Sequence, residues 1–480
     1  MVIGKKSVLS EVALAGKLGM EKDTVEAIMN AIDGPSGATS TFVGKNKVAI
    51  GIIPEKVSRN NHPWSVHAIT EMVKSHIPKG QTSQIIMVGA DAVKYQGALT
   101  AAVAKAFPVY SKKTTEASRK GEDESQKNSR KIHMALWDEK GAPLACPPDA
   151  TTSALAAAEG IQLAARLVDS PPEELTTDAY AAECKRLAEE LDGVSFKEIV
   201  GNDLCEKGYG GIYGVGKAAV CPPRLVIMEY TPPGATPEGK TICLVGKAIV
   251  YDTGGLSLKP KTGMCGMKAD MGGSAGLLGG FVSAVKAGYP NKLVYLVCMA
   301  ENAIGPSAFR NDDILTMYSG KTVEVNNCDA EGRLVLGDGV AHASKHIENL
   351  DLIVDMATLT GAQMVTTGQK HAGILTNKAE LEVKAVAAGL QSGDLAYPML
   401  YAPELLKKEF NSKVADMKNS VKDRSNAQSS CAGHFIEAHL DENYEGGWLH
   451  VDMAGPATEN ERGTGYGVGL VLSLLGVAGF

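Results

Sequence analysis

The stretch TICLVGKAIVYD, residues 241–252, decides the fold class of this chain. It is apolar at nearly every position instead of alternating, and a strand of this kind is buried on both faces of its sheet, as in sheets covered by helices on two sides. Further apolar runs, separated by stretches with helical patterning, occur at 223–230, 292–300, 351–361 and 446–455. We therefore expect an α/β domain with a central mixed sheet over residues 173–480.

A smaller α/β domain is predicted over residues 1–150. Apolar runs at 47–54 and 83–90 indicate buried strands, and the patterns at 67–77 and 97–107 indicate helices. The segment 111–131 is charged, polar and free of aromatic residues, which predicts an exposed loop.

A helix is predicted to link the two domains over residues 151–172. It begins with Thr and Ser, continues with many alanines and meets two consecutive prolines at 171 and 172. The apolar end of the chain, residues 467–480, predicts a packed helix.

Length, charge and cysteine content limit the number of domains, the partners and the location that we expect. A chain of 480 residues exceeds the usual domain length of about 100–200 residues, so two or three domains are expected. A net charge of −7 disfavours nucleic acid and anionic membranes as partners, since both bind preferentially to basic surfaces. The nine cysteines are dispersed without a C-x-x-C pair, which favours reduced thiols and a cytoplasmic location. No signal peptide and no membrane-spanning run is expected.

Two short motifs match signatures of phosphate-binding loops and serine hydrolases, but their neighbouring residues do not fit those sites. GIYGVGK at 211–217 has the glycine and lysine spacing of a phosphate-binding loop, but Ala218 replaces the hydroxyl residue that binds magnesium. GGSAG at 272–276 places Ser274 in a G-x-S-x-G pattern, yet no strand precedes it, so we expect a helix N-terminus capped by this serine. A serine hydrolase that uses Ser274 remains an alternative.

Charged residues amid glycine, methionine and apolar residues mark two other segments. The first, 245–276, contains Lys247, Asp252, Lys259 and Asp270. The second, NNCDAEGRLVLGDG at 326–339, contains Asp329, Glu331 and Arg333. Buried charges are costly unless they are paired or bind a metal. An internal salt-bridge network is one interpretation of the set. The density of glycines, which weaken regular elements unless backbone must approach something closely, favours a site instead.

Several carboxylates in one small site suit hard or borderline divalent cations, and shared carboxylates indicate two metals instead of one. Two metals can activate a water molecule, and one can take a free amine.

These segments resemble the M17 leucyl aminopeptidase family. The shared motifs read VGKAIVYDTGGLSLKP, MKADMGG and NCDAEGRL in this chain, and the likeness continues through RLVDSPPEELT, DLIVDMATLTGA and WLHVDMAGPA. It covers nearly all of residues 160–480, whereas the first 150 residues match only in general character. GGIYGVGKAA and ADMKNSVKDRSNAQSSCAG are most similar to an animal branch described as probable aminopeptidases.

The resemblance implies a role for each matching position. Lys247, Asp252, Asp270 and Glu331 would bind the tighter zinc, and Asp252 and Glu331 would bridge to a second metal (zinc, manganese or magnesium) that Asp329 also binds. Lys259 would stabilise the developing oxyanion, and Arg333 would hold a bicarbonate that shuttles protons. The positions that would contact the substrate are Met267, Asn327, Thr358 and Gly361.

The resemblance further implies a zinc-exopeptidase-like catalytic domain, peptide substrates with a leucine-like first residue, and a homohexamer. Two departures bear on this expectation. Cys328 stands where the family has Thr, and Ala248 where it has Gly. A protein that holds metal but acts as a structural or binding factor is therefore the second alternative.

Overall fold

The structure is a computed structural model that describes residues 1–12, 14–78, 82–114, 131–234, 236 and 239–480. The first strands are β1 (Val2–Lys5), β2 (Gly37–Val43), β3 (Asn46–Ile53), β4 (Ser83–Val88) and β5 (Ile132–Trp137). They form one sheet in the order β2-β3-β1-β4-β5, in which only the edge strand β2 runs antiparallel to its neighbour.

Helices cover this sheet, at Lys6–Glu11, Leu14–Leu18, Lys22–Asn30, Val66–His76 and Gln96–Lys105. The two predicted strands and the two predicted helices of this region are confirmed to within two residues. The sequence analysis did not predict β1, β2 and β5, because they are short or only half buried. The predicted exposed loop at 111–131 lies for the most part outside the described residues.

A long helix, Pro148–Asp169, follows and is called here the linking helix. It begins three residues before the predicted start, since proline at the first position of a helix has no N–H to lose. It also ends before 172, because Ser170 precedes a proline and is extended, with φ −62° and ψ 135°. The linking helix packs on both Gln96–Lys105 and the helix Gly272–Lys286 of the second region, with which it shares one apolar core. The boundaries 1–150, 151–172 and 173–480 stay a prediction.

The later strands and helices build the second region. The strands are β6 (Val194–Val200), β7 (Arg224–Tyr230), β8 (Thr241–Asp252), β9 (Lys292–Asn302), β10 (Ile314–Thr316), β11 (Thr322–Glu324), β12 (Leu350–Ala357), β13 (Ala372–Thr376), β14 (Ala396–Pro398), β15 (Met417–Lys418), β16 (Gly447–Asp452), β17 (Thr458–Glu459) and β18 (Arg462–Gly463). The helices are Thr177–Glu190, Asn202–Glu206, Gly210–Gly216, Lys261–Met264, Gly272–Lys286, Gly332–His346, Gly361–Thr367, Ala379–Ser392, Pro403–Leu406, Gln428–Glu437 and Val468–Leu474, with 3-10 turns at Met267–Ala269 and Lys407–Phe410.

The central sheet has the order β14-β13-β16-β12-β8-β9-β7-β6. The inner strands β16, β12, β8 and β9 are parallel, and antiparallel pairs flank them on both sides. The expected mixed α/β sheet is confirmed. The sequence analysis missed β6, β13 and β14, which lie at the edges of the sheet.

Both faces of β8 are buried, as its sequence predicted. Leu244, Ala248 and Val250 belong to the core on one face, and Val245 and Ile249 belong to the core on the other face. Because side chains alternate along a strand, Lys247 projects into the second face. There it meets the helix Gly332–His346, since a methyl group added to Gly332 would lie 2.5 Å from Lys247 Cε.

Two predicted elements end earlier than expected. Strand β12 stops at Ala357 instead of continuing to 361, because Thr360 caps the following helix by accepting a hydrogen bond from the Gln363 N–H. The C-terminal helix covers only Val468–Leu474, and Gly476 follows it with φ +70°. Among the described residues, no helix has the length and apolar character needed to cross a membrane.

Candidate metal centre

The candidate site forms where parallel strands end at one edge of the central sheet. Asp252 is the last residue of β8, and it lies opposite Asn302, the last residue of β9. Thr358 follows β12 directly. Asp270 follows the 3-10 turn Met267–Ala269, and Glu331 occupies the N-cap position of the helix Gly332–His346. Open α/β sheets place ligands at this edge.

Lys247 is buried among oxygen atoms. Its Nζ lies 2.8 Å from Asp270 Oδ1 and 3.0 Å from Glu331 Oε1, and it donates to the Thr358 carbonyl at 3.0 Å. Burial opposes its charge, but the surrounding carboxylates outweigh this effect and raise the pKa of Lys247 above its ordinary value. Without a metal, Lys247 is therefore an ammonium ion that the carboxylates hold. The family resemblance implies that Lys247 binds zinc, and a lysine binds metal only as the neutral amine. Nearby cations would be needed to lower the pKa of Lys247 to that point.

Lys259 pairs with the other two carboxylates. Its Nζ lies 2.8 Å from Asp252 Oδ2 and 2.5 Å from Asp329 Oδ1. Partial burial acts against the charge, yet the two carboxylates raise the pKa of Lys259 overall. Ligand oxygens of Asp252, Asp329 and Glu331 all lie within 4.8 Å of one another.

The donor set fits divalent metal ions better than a closed salt-bridge network. Four carboxylates, from Asp252, Asp270, Asp329 and Glu331, face two lysines. Within the described part of the chain, Asp270 Oδ2 and Glu331 Oε2 are buried without a hydrogen-bond partner. Burial and mutual repulsion raise the pKa of both of these carboxyl groups despite Lys247. Unsatisfied buried acceptors are costly, and a cation bound by oxygen atoms removes that cost.

Arg333 has hydrogen-bond donors that lack acceptors. It is buried, and its Nε and Nη1 atoms have no acceptor among the described residues. Burial lowers the pKa of the guanidinium to about 10, although nearby Glu331 acts in the opposite direction. A planar guanidinium with free donors suits a small planar anion, and the bicarbonate expected from the sequence is one such anion.

Two glycines show why this site needs residues without side chains. Gly254 has φ +83°, and a methyl group there would lie 2.9 Å from Asp329 Oδ1. Gly332 lies against Lys247, as described above. The glycine density in the sequence therefore reflects close approach of backbone to the charged cluster.

The four predicted substrate contacts come from separate segments of the chain. Met267 is in the turn that precedes Asp270, and the Thr358 hydroxyl donates to Asp270 Oδ1 at 3.0 Å. Asn327 Oδ1 accepts from the backbone N–H of Asp329 at 3.0 Å. Gly361 is the first residue of the helix Gly361–Thr367. The assignment of these four residues to substrate stays a prediction.

Sequence reasoning missed one buried residue of the site, Asn302. Its Nδ2 donates to Asp252 Oδ1 at 2.8 Å and to the Cys328 carbonyl at 3.0 Å, so it connects the two charged segments. The available signal was its position, because Asn302 is a polar residue two positions after the apolar run 292–300.

Ser274 is excluded as a nucleophile. It is fully buried inside the helix Gly272–Lys286, and its hydroxyl contacts the Tyr180 hydroxyl at 3.0 Å and donates to the Met271 carbonyl at 2.8 Å. The prediction that Ser274 caps this helix is wrong, because Met271 holds the N-cap position and Ser274 makes no cap hydrogen bond. The motif at 211–217 falls on the short helix Gly210–Gly216.

The two departures from the family pattern both lie in the core. Cys328 is fully buried, with its sulfur 3.5 Å from the Phe309 carbonyl and 3.4 Å from Asn311 Oδ1. The methyl group of Ala248 packs on the opposite face of β8 from Lys247. Neither contact favours the alternative of a protein that holds metal but acts as a structural or binding factor.

Comparisons with known proteins agree with this geometry. The model of the cytosol aminopeptidase family catalytic domain matches residues 162–472, and that of the M17 aminopeptidase N-terminal domain 2 matches residues 1–116. The probable aminopeptidase NPEPL1 of Mus musculus is 48% identical over 449 residues, covering 92% of this chain and 82% of that protein.

Solved structures show the same likeness. The leucyl aminopeptidase of Trypanosoma brucei in complex with actinonin superposes with a TM-score of 0.89 at 38% identity, covering 99% of this chain and 91% of that one. The bottromycin maturation enzyme BotP in complex with Mn gives a TM-score of 0.76 at 26% identity, covering 99% and 98% of the two chains. This chain therefore belongs to the M17 family of cytosol aminopeptidases, metal-dependent hydrolases that act on peptides.

Proposed function

We propose that this enzyme removes the N-terminal residue of peptides, with a preference for leucine-like residues, and that it uses two divalent metal ions. One observation carries the proposal: the oxygens of Asp252, Asp329 and Glu331 converge within 4.8 Å. Asp270 and Lys247 extend this cluster on the Glu331 side. Carboxylates shared within so small a space suit two cations that are bridged by common ligands.

The ligands divide into two sets. Lys247, Asp252, Asp270 and Glu331 would hold the tighter ion, zinc. Asp252, Glu331 and Asp329 would hold a second ion, which is zinc, manganese or magnesium, and the Mn complex of BotP supports manganese as one occupant. When bound, the two ions supply an activated water molecule and polarise the carbonyl group of the substrate.

Residues of the chain supply the remaining functions. Lys259 places a positive charge beside Asp252 and Asp329, where it can stabilise the negative charge that develops on the carbonyl oxygen. Arg333 would hold bicarbonate through its free Nε and Nη1 atoms, and this anion would receive and return a proton. The substrate would be oriented by Met267, Asn327, Thr358 and Gly361.

Peptides are the proposed partners, and the complex of the Trypanosoma brucei relative with actinonin supports an accessible site of this type. We also propose a cytoplasmic homohexamer, by analogy with the family. Light scattering tests the assembly, and a stable monomer at micromolar concentration would argue against it.

Metal removal tests the proposed activity. We expect the purified protein to hydrolyse leucine amide, to lose this activity after chelation, and to regain it when zinc and manganese are added back. N-acetyl-leucine amide is the matched control, because it lacks the free amine and should not be cleaved. Turnover that persists in metal-free protein, or equal cleavage of the acetylated substrate, would refute the proposal.

A further inference from the structure

The segment that follows β15 contains a buried amide next to the candidate metal centre. Asn419 is fully buried and comes directly after β15, which pairs in parallel with β11. Its side chain reaches residues 326–330, the irregular segment between β11 and Glu331. Nothing in the sequence pattern of a metal site singles out this residue.

Every hydrogen-bonding position of the Asn419 amide is used by that segment. Its Oδ1 accepts from the backbone N–H groups of Asn326 at 2.9 Å and Asn327 at 3.3 Å. Its Nδ2 donates to the carbonyls of Asn327 at 2.7 Å and Ala330 at 3.2 Å. A carboxamide has two donors and two acceptor positions, so it is saturated by backbone alone.

Asp329 lies inside the span that this amide holds. Asn419 contacts the residue two positions before Asp329 and the residue directly after it. Asn326 Nδ2 donates to the Ser420 carbonyl at 3.2 Å, and Asn326 Oδ1 accepts from the Ser420 N–H at 2.9 Å. The segment is not part of a helix or strand, so side chains satisfy most of its backbone groups: Ser257 and Asn302 bond to Cys328, and Asn419 bonds to the residues on either side. Deleting the amide removes four of the hydrogen bonds that hold the segment on both sides of Asp329.

We infer that Asn419 is a positioning residue that holds Asp329 in place for the second metal ion. The inference rests on the proposed function, because it assigns Asp329 to that ion alone. Mutating a residue that orients a metal ligand without touching the metal commonly lowers metal affinity or activity by about 10–100-fold. Asn419 also fixes Asn327, so the same contacts hold a proposed substrate residue.

The test is a calorimetric titration of metal-free Asn419→Ala protein with Mn²⁺. We expect the weaker of two binding events to lose about 10–100-fold in affinity, while the tighter event changes by less than about threefold. At a fixed Mn²⁺ concentration, the kcat of the Asn419→Ala enzyme for leucine amide should fall by a larger factor than its KM changes. Additional Mn²⁺ should restore the activity. A purely structural role would not produce rescue by metal.

Asn377→Ala is the matched control. The Asn377 amide also joins two segments, since it donates to the Gly446 carbonyl at 3.2 Å and accepts from the Trp448 N–H at 2.8 Å. Asn377 comes directly after β13, beside the first residues of β16. Because β13 runs antiparallel to β16, Asn377 lies at the opposite edge of the sheet from the metal centre. Its loss should lower thermal stability without changing either metal affinity.

Two results would overturn the inference: unchanged affinity at both sites in Asn419→Ala, or equal weakening at both. If the alanine variant does not fold, Asn419→Ser, which keeps a polar group and leaves room for water, undergoes the same titration. Measurements on the native protein test the proposed function separately. If native protein binds no metal or cleaves no peptide, the proposed function is refuted, whatever the Asn419 variants do.

Discussion

At the scale of single residues, the two lysines of the site differ in their surroundings. Lys247 is almost fully buried, and it contacts Asp270, Glu331 and a backbone carbonyl. Lys259 keeps 15% of its side chain exposed and contacts Asp252 and Asp329. Burial suits the proposed role of Lys247 as a neutral metal ligand, whereas partial exposure suits the proposed role of Lys259 as a charge that faces substrate.

Replacing Lys259 with glutamine should therefore reduce turnover without removing metal. The variant loses the cation beside the reacting carbonyl, and we expect kcat to fall by about 10²–10³, the usual effect of deleting one donor to a developing oxyanion. KM for leucine amide should change little. Steady-state kinetics, together with the metal content per chain, provides the measurement.

Lys261→Gln is the control for this prediction, because Lys261 is exposed on the adjacent short helix Lys261–Met264. It should retain native kinetics. A Lys259→Gln enzyme with kcat within about threefold of the native value would contradict the role assigned to Lys259.

At the scale of elements, a buried carboxylate connects two helices. Asp338, on the helix Gly332–His346, accepts from the N–H of Ile212 at 2.9 Å and from the N–H of Tyr318 at 2.8 Å. The first contact holds the short helix Gly210–Gly216 against the site helix. Burial raises the pKa of Asp338 to about 7, although these backbone N–H groups act to lower it.

This pKa predicts a stability change with pH. The folded protein holds a proton on Asp338 more tightly than the unfolded chain does, so Asp338 stabilises the fold less as pH rises from about 4 to about 7. Because each unit of difference between the two pKa values corresponds to about 1.4 kcal/mol, the change amounts to roughly 4 kcal/mol.

Asp338→Asn, which cannot ionise, removes this dependence. We expect the stability of native protein relative to the variant to decrease as pH rises through that range. Thermal unfolding of both proteins at pH 5, 6, 7 and 8 measures it. Parallel curves for the two proteins would show that Asp338 does not titrate there.

At the scale of the whole molecule, an ion pair joins the N-terminal region to the catalytic region. Lys105 Nζ lies 2.5 Å from Asp394 Oδ1, and the side chains are 15% and 1% exposed. Asp394 Oδ2 also accepts from the N–H groups of Gly467 and Gly469, at the start of the C-terminal helix. One buried carboxylate thus holds three parts of the chain together.

Lys105→Met should destabilise the protein by about 3–5 kcal/mol, because it leaves a buried charge without its cation. Lys22→Ala is the control, since the Lys22–Glu26 pair is exposed and such pairs contribute about 0–1 kcal/mol. Chemical unfolding of both variants measures the difference. Equal stability of the two variants would show that the Lys105–Asp394 pair contributes no more than an exposed pair.

The sequence by itself determined the fold class and most of the charged residues of the site. Strand β8 was predicted with its observed bounds, because a run that is apolar at nearly every position is typical of a strand buried on both faces of its sheet. The carboxylates were found because they occur in two short segments where charge among glycines has few structural explanations.

Only the tertiary structure decided which groups meet. Lys247 contacts Asp270 and Glu331, which lie 23 and 84 positions further along the chain, because separate strands end at one edge of the sheet. Asn302 and Asn419 act through single side-chain contacts to distant backbone, and such contacts leave no periodic pattern in a sequence. Ser274 was removed from consideration by burial, which depends on the packing of whole elements around it and not on its neighbours in the chain.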